Sequence, residues 1–257
     1  MHFAGFIQVE ESVKYPQKYF DNNTENATKL FKTCKNNGLN KIVFSSTAAA
    51  YGSVSENKLI DENTNLNPQN PYAESKIKTE NFLFKNKHDY KFIILRYFNV
   101  AGADKKLRSG QISKRSTHLI KILSEVVVGK RDHIEIFGND YNTPDGTAIR
   151  DYIHVSDLAD IHLEVAKYLL ESSESNLFNC GYGNGFSVLD VINTANKISE
   201  DKIDYKFSNR RDGDVEQLIA DTSKILKHID WRPKHNDLSE IINLSLIHIS
   251  EPTRPSI

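Results

Sequence analysis

The sequence predicts an α/β fold: a doubly wound parallel sheet joined to a second, smaller α/β unit. Three observations predict it. Residues 41–46 and 92–97 are short apolar runs, the form that strands buried on both faces take. Helical patterns over 24–37 and 72–85 alternate with them at the spacing of right-handed βαβ units. The 257 residues give room for one large domain, or for a domain with a smaller partner.

Taken in order, residues 1–5 read as the end of a buried strand running into a turn at Gly5. Residues 12–19 contain Pro16 and read as a short helix before the polar cluster Asp21, Asn22, Asn23 and Thr24. Over 24–37, Ala27, Leu30, Phe31 and Cys34 recur at helical spacing, and Asn36, Asn37 and Gly38 supply C-cap chemistry. A polar loop over 52–71 carries Pro68 and Pro71, and Asn70 with Pro71 opens the helix over 72–85. After Asn99 the pattern changes. Residues 101–116 are polar, 119–128 helical, 134–137 a short strand and 139–147 a loop. Residues 157–170 form a strongly amphipathic helix, 177–180 a strand, 188–198 a helix, and 203–207 alternates like a strand. A helix covers 238–242. Residues 244–257 carry two prolines and no helical stripe, and read as a frayed or non-native tail.

Lys plus Arg is 33 and Asp plus Glu is 34, a formal net charge of -1. That balance offers no basic footprint for nucleic acid and no cationic face for acidic lipid. At 39% hydrophobic residues the chain is too core-rich to be disordered. No apolar run is long enough to cross a bilayer, and the first residues lack the basic flank and apolar stretch of a signal peptide. Cys34 and Cys180 stand far apart without metal-ligand spacing, so the reading is a cytoplasmic chain in a reducing compartment.

Tyr72 and Lys76 stand four residues apart on a helix and share a face. A phenol titrates near ~10, and a neighbouring ammonium favours its ionised form. Such a pair makes a general base for a sugar hydroxyl, although with eleven tyrosines the spacing also arises by chance. Ser45, Ser46 and Thr47 close the first strand, and strand carboxyl ends face the ligand crevice of open α/β sheets. Hydroxyls there can bond a substrate alcohol and the phenol, or simply cap the strand. Arg150 follows in the run from Asp145 to Val155, and Arg211 and Asp214 follow later. A guanidinium grips phosphate oxygens in pairs; Arg150 beside Asp151, or Arg211 beside Asp212, could equally be surface ion pairs.

A Ser/Thr–Tyr–Lys set in a doubly wound fold resembles the extended short-chain dehydrogenase/reductase superfamily. With Arg96-Tyr97-Phe98-Asn99, the run from Ile136 to Tyr141, and the Arg150 and Arg211 segments in order, the chain resembles the UDP-glucose 4-epimerase (UDP-galactose 4-epimerase) family from His2 to about Ile242. The resemblance implies a Rossmann-like domain, bound NAD, a UDP-hexose substrate and a homodimer in the full-length family. Residues 1–99 and 146–180 would be what remains of the NAD-binding domain, and 100–145 with 181–243 the UDP-sugar domain. Tyr72 would take the proton from the sugar 4-hydroxyl. Lys76 would hold the nicotinamide ribose and depress the Tyr72 pKa, and Thr47 would bridge the 4-hydroxyl. Phe3, Ala4, Gly5, Asn22, Ser45, Tyr97 and Phe98, with Tyr72 and Lys76, would line the NAD pocket. Thr47, Asn99, Leu119, Phe137, Arg150, Arg211 and Asp214 would surround the UDP-sugar. Hydride would leave C4 to give a 4-keto sugar and return on the other face.

Departures sharpen this. Related sugar-nucleotide dehydratases and decarboxylases carry acids just after the Ser/Thr; here Ala48 and Ala49 stand there and cannot move protons. Leu218 stands where some epimerases have a bulky Tyr, leaving room for an N-acetylhexosamine. Gly181-Tyr182-Gly183-Asn184-Gly185 imitates a phosphate loop but reads as a structural turn. His154 reads as a core histidine, and His118 lies near the substrate side. No Gly-x-x-Gly-x-x-Gly turn precedes Phe3. At ~30 residues per βαβ unit, about 60–80 residues of the family's N-terminal half are expected to be missing. Three readings stay open: a UDP-glucose 4-epimerase, a non-catalytic fragment of one, and a 4-epimerase of another UDP-sugar such as UDP-N-acetylglucosamine.

Overall fold

A computed structural model describes residues 1–54, 59–113, 116–199, 202–211 and 214–250. Two short helices, α1 (Val9–Lys14) and α2 (Pro16–Tyr19), lead through a π-helical turn (Phe20–Asn26) into α3 (Ala27–Asn36). Strand β1 (Lys41–Thr47), a 3₁₀ turn (Ala48–Tyr51), α4 (Pro71–Lys85) and β2 (Lys91–Tyr97) follow. Next come β3 (Asn99–Ala101), α5 (Leu119–Val127), β4 (Ile134–Phe137), β5 (Ile149–His154), α6 (Val155–Ser172) and β6 (Asn176–Cys180). The chain continues through β7 (Gly185–Ser187), α7 (Val188–Ser199), β8 (Tyr205–Ser208), β9 (Gln217–Leu218), α8 (Ser223–His228) and α9 (Leu238–Ser250).

The central sheet has the order β1-β2-β6, all parallel. Side chains alternate across it. Ile42, Phe44, Phe92 and Ile94 face Phe31 of α3 and Leu83 of α4. Val43, Ile93, Leu95 and Phe178 face Ile161, Val165 and Leu169 of α6. Helices on both faces make the sheet doubly wound, as the apolar runs predict. A second sheet joins β3, β5, β7 and β9, and β4 pairs with β8. A further core lies here, where Ile120 and Leu123 of α5 meet Ile192 of α7 and Ile241 and Ile242 of α9.

Helix α4 begins where its sequence says. The Asn70 side chain accepts from the Ala73 amide at 2.9 Å, with Pro71 in the first turn. At the other end of the preceding loop, Gly52 has φ of +60°, and a Cβ there would lie 1.8 Å from the Asn67 carbonyl oxygen. Only glycine lets the loop fold back so close to the end of β1.

Two expectations are corrected. Residues 1–5 are not a buried strand. They make one parallel bridge, His2 to Phe44, and Phe3 stays 58% exposed; the edge of β1 offers pairing at His2 alone, through bonds to Val43 and Ser45. The helix from Leu238 does not stop at Ile242 but runs to Ser250, because Leu244, Leu246 and Ile249 find buried places along it. Residues 251–257 of the expected tail lie outside the described residues. The 3.6-residue stripe was hidden because apolar residues here lie on more than one side of the helix.

Candidate active site

The carboxyl ends of β1 and β2 open into a cavity of about 1440 Å³ that reaches across to β5, β9 and α5. Its walls bring together ten residues singled out from the sequence. Thr47 and Tyr72 lie at the central sheet with Tyr97, Phe98 and Asn99; Leu119, Phe137, Arg150, Arg211 and Asp214 lie across from them. Phe3, Ala4, Gly5, Asn22, Ser45 and Lys76 are not on these walls. Ser45 and Lys76 lie behind them, with Gly5 beside the Lys76 amino group.

Tyr72 is the second residue of α4, where the helix terminus favours negative charge. The Thr47 hydroxyl beside it favours the phenolate, but burial outweighs that influence and raises the Tyr72 pKa. The expected depression by Lys76 is therefore not found. The Lys76 ammonium instead donates to the Ser45 carbonyl at 2.9 Å. Thr47 also caps the 3₁₀ turn, accepting from the Ala49 amide at 3.2 Å.

Lys76 is 4% exposed, and burial pushes its pKa down to about 8 against the opposing pull of the Glu80 carboxylate. Below about pH 8 both folded and unfolded chains hold the proton. Above it the native lysine sheds its proton while the unfolded one keeps it to about 10.5, so the unfolded chain binds more protons and stability rises with pH. Denaturant unfolding at pH 7.5 and 9.5 is expected to show this rise, up to about 3 kcal/mol in full, and Lys76→Met is expected to abolish it. A rise that persists in Lys76→Met would assign it elsewhere.

The sequence reading missed Asn23. Buried at 1% exposure, it accepts from the Phe6 amide (2.8 Å) and donates to the Phe6 carbonyl (2.9 Å) and to Ser75 Oγ on α4 (3.1 Å). Asn22, the residue expected there, donates only to Asn23 among the described residues. The sole signal was the polar cluster over 21–24, which reads as a helix boundary and hides a π-helical turn docked on α4 through Thr24 and Thr79. A Cβ on Gly5 would lie 3.1 Å from both Asn23 Oδ1 and Lys76 Nζ. Bare backbone, an amide side chain and an ammonium with one bond made among the described residues thus share one small space.

Tyr97 donates toward His162 at 2.6 Å, since His162 Nδ1 is engaged by the Leu158 carbonyl at 2.7 Å. Across the cavity, the Arg150 guanidinium donates to the Ile149 carbonyl (2.8 Å) and has no carboxylate within 4.0 Å among the described residues. Desolvation lowers its pKa, with Asp214 pulling the other way. Arg211 differs: it bonds Asp214 at 3.0 Å and lies over the Phe137 ring at 4.3 Å. Asp212 and Gly213 of that motif lie outside the described residues. His118 and Leu218 also line the cavity, as do Ala48 and Ala49.

The glycine loop after β6 is a structural turn. Asp151 accepts from the amides of Tyr182 (2.9 Å), Gly183 (2.9 Å) and Ala220 (3.2 Å), so the donors that would cradle a phosphate are already bound. His154 is fully buried, as expected of a core histidine, but only half satisfied: Nδ1 accepts from the Ser156 amide, and Nε2 has no hydrogen-bond partner among the described residues.

The family model described as GDP-mannose 4,6 dehydratase matches residues 1–243. The chain is 47% identical over 248 residues to a UDP-glucose 4-epimerase of Azospirillum brasilense, covering 96% of this chain and 71% of that one. Among solved structures it is similar to the UDP-glucose-4-epimerase of Stenotrophomonas maltophila with bound NAD and formylated UDP-arabinopyranose. The TM-score there is 0.92 at 31% identity, over 96% of this chain and 74% of that one. It is also similar to the UDP-Glc/GlcNAc 4-epimerase of Campylobacter jejuni, with a TM-score of 0.80 at 46% identity, over 96% and 75% of the two chains.

Proposed function

The chain belongs to the UDP-glucose 4-epimerase family, and from that premise we infer that it interconverts UDP-galactose and UDP-glucose with NAD as cofactor. The observation that carries the assignment of residues is the neighbouring Tyr72 and Thr47 hydroxyls at the sheet end of a cavity whose far wall holds Arg150, with no carboxylate within 4.0 Å among the described residues. Thr47 and Tyr72 hold the sugar 4-hydroxyl, and Tyr72 takes and returns its proton. Arg150, with Arg211 beside it, receives the diphosphate, whose oxygens suit a guanidinium. Asn99, Leu119, Phe137 and Asp214 complete the wall around the UDP-sugar.

The residues around Lys76 fit a nicotinamide nucleotide. Gly5 leaves open a space that a Cβ would fill, and the Lys76 ammonium and the Asn23 amide face it. When bound, NAD supplies the acceptor and donor of hydride at the sugar C4. Lys76 would hold its ribose, with Phe3, Ala4, Ser45, Tyr97 and Phe98 around it. A positive charge brought close to Tyr72 would lower a pKa that burial alone holds high. Ala48 and Ala49 supply no acid or base for elimination, which favours epimerisation over dehydration despite the dehydratase name of the family model. The even charge balance and two free thiols support a cytoplasmic setting, and among the described residues no helix is long and apolar enough to cross a membrane.

The test is direct. The chain is incubated with NAD⁺ and UDP-galactose, and the sugar anomeric protons are followed by NMR. UDP-glucose is expected to appear without net cofactor reduction; UDP-galactose that persists unchanged would refute the reading.

Leu218 favours a second substrate. It is buried in the cavity wall beside Arg150, its register partner, and a leucine leaves space that a tyrosine would take. UDP-N-acetylglucosamine is expected to be turned over as well. Leu218→Tyr is expected to cut that turnover about tenfold or more, the scale of a pocket-filling change, with UDP-glucose turnover held within about threefold. Equal loss on both sugars counts against it.

A further inference from the structure

We propose that Glu80 is a positioning residue that sets where Tyr72 and Lys76 stand over the sheet; the inference rests on the roles given to those two residues above. Tyr72, Lys76 and Glu80 follow one another at intervals of four on α4 and so share one face of the helix. Glu80 is 1% exposed. Its Oε2 accepts from Arg96 Nη2 at 2.5 Å, and its Oε1 accepts from Arg96 Nε at 3.1 Å and from Ser46 Oγ. Ser46 and Arg96 are register partners on β1 and β2, one residue before Thr47 and Tyr97. One carboxylate therefore clamps the helix that carries Tyr72 to the two strands that carry Thr47 and Tyr97.

The clamp is itself braced. The Arg96 guanidinium lies 4.8 Å from the centre of the Tyr51 ring, and the Tyr51 hydroxyl donates to Asn179 Oδ1 at 2.6 Å. Asn179 is the register partner of Arg96 on β6, so Ser46, Arg96 and Asn179 form a polar row across all three strands. Such a row is a poor way to stabilise a fold, since a buried ion pair returns little over well-packed apolar side chains. Its use lies in direction. Apolar contacts between a helix and a sheet tolerate a small slide, whereas a two-pronged guanidinium–carboxylate pair does not. Glu80 also faces Lys76 with its charge. The other ionisable group facing Lys76 among the described residues is His2, whose proton affinity is lowered by burial and by Lys76 itself; β1 offers the Ser45 carbonyl and the Phe44 ring.

The experiment compares the parent chain, Glu80→Gln, and the double variant Glu80→Met/Arg96→Met, which removes both charges and keeps the volume. Three quantities are read: melting temperature, kcat and KM for UDP-galactose, and the titration midpoint of Lys76 by NMR of ¹³Cε-labelled lysine, assigned with Lys76→Arg. The double variant is expected to melt within about 4 °C of the parent, yet to lose about tenfold or more in kcat, with KM within about threefold. In both variants the Lys76 midpoint is expected to fall by about one pH unit or more. A double variant with parental kcat, or a Lys76 midpoint unmoved in both, would overturn the proposal. If the parent chain does not convert UDP-galactose, that result falls on the proposed function. The Lys76 midpoint then decides the role of Glu80: a fall supports it and an unchanged value overturns it.

Discussion

Tyr72→Phe is expected to lower kcat for UDP-galactose by about 10²–10⁴-fold, the usual contribution of a positioned acid–base group. The substitution removes one oxygen. The ring stays half-buried against Tyr19, whose centroid is 6.4 Å away, so the melting temperature is expected to hold. What disappears is the hydroxyl beside Thr47 and, under the proposed function, the route for the proton of the sugar 4-hydroxyl. Because Arg150 is untouched, UDP is expected to bind with the parental Kd in calorimetry. A variant that turns over at the parental rate would remove Tyr72 from the chemistry; one that loses UDP binding as well would point to collapse of the cavity.

Arg150→Met is expected to act at the other end. Each hydrogen bond to a charged group contributes about 1.5–3 kcal/mol, and about 1.4 kcal/mol is tenfold in affinity. UDP is therefore expected to bind about 10–100-fold more weakly. Stability is expected to hold or rise, because the guanidinium has no carboxylate partner among the described residues and its ionised form is disfavoured by desolvation. Arg211→Met is the internal comparison. Arg211 already bonds Asp214 at 3.0 Å, so part of its charge is spent and its loss is expected to weaken UDP binding by less than about tenfold. Equal losses in the two variants would mean that the diphosphate does not prefer Arg150.

The central sheet was legible because its strands are buried on both faces. Residues 42–44 and 92–95 are apolar without a break, which marks strands covered on both sides. The start of α4 was legible because Asn70 and Pro71 act on their nearest neighbours. Tyr72, Thr47 and Arg150 stood out as side chains whose chemistry fits a task, and the structure places all three on one cavity. What stayed hidden depends on partners distant in sequence. Asn23 matters because Phe6 and Ser75 come to it from 17 and 52 residues away. The state of Tyr72 depends on how deeply it is buried, which no local spacing encodes. The second sheet was harder still: β3, β7 and β9 are two or three residues long and exist because each pairs with β5. The helix after Leu238 continues because a groove awaits Leu244 and Leu246, not because its own pattern announces a face.

Strand β5 sets opposite charges back to back. Arg150 and Asp151 are consecutive, so their side chains leave the strand on opposite sides. The cation faces the cavity, and the anion faces the glycine turn, whose amides it consumes. One peptide unit thus separates a surface that attracts oxyanions from one that repels them. Under the proposed function a diphosphate would meet Arg150 on one side of the strand, while the glycine-rich loop on the other side is closed by the Asp151 carboxylate. The strand works as a partition between the two charges, and under the proposed function it would give the nucleotide its heading toward Tyr72.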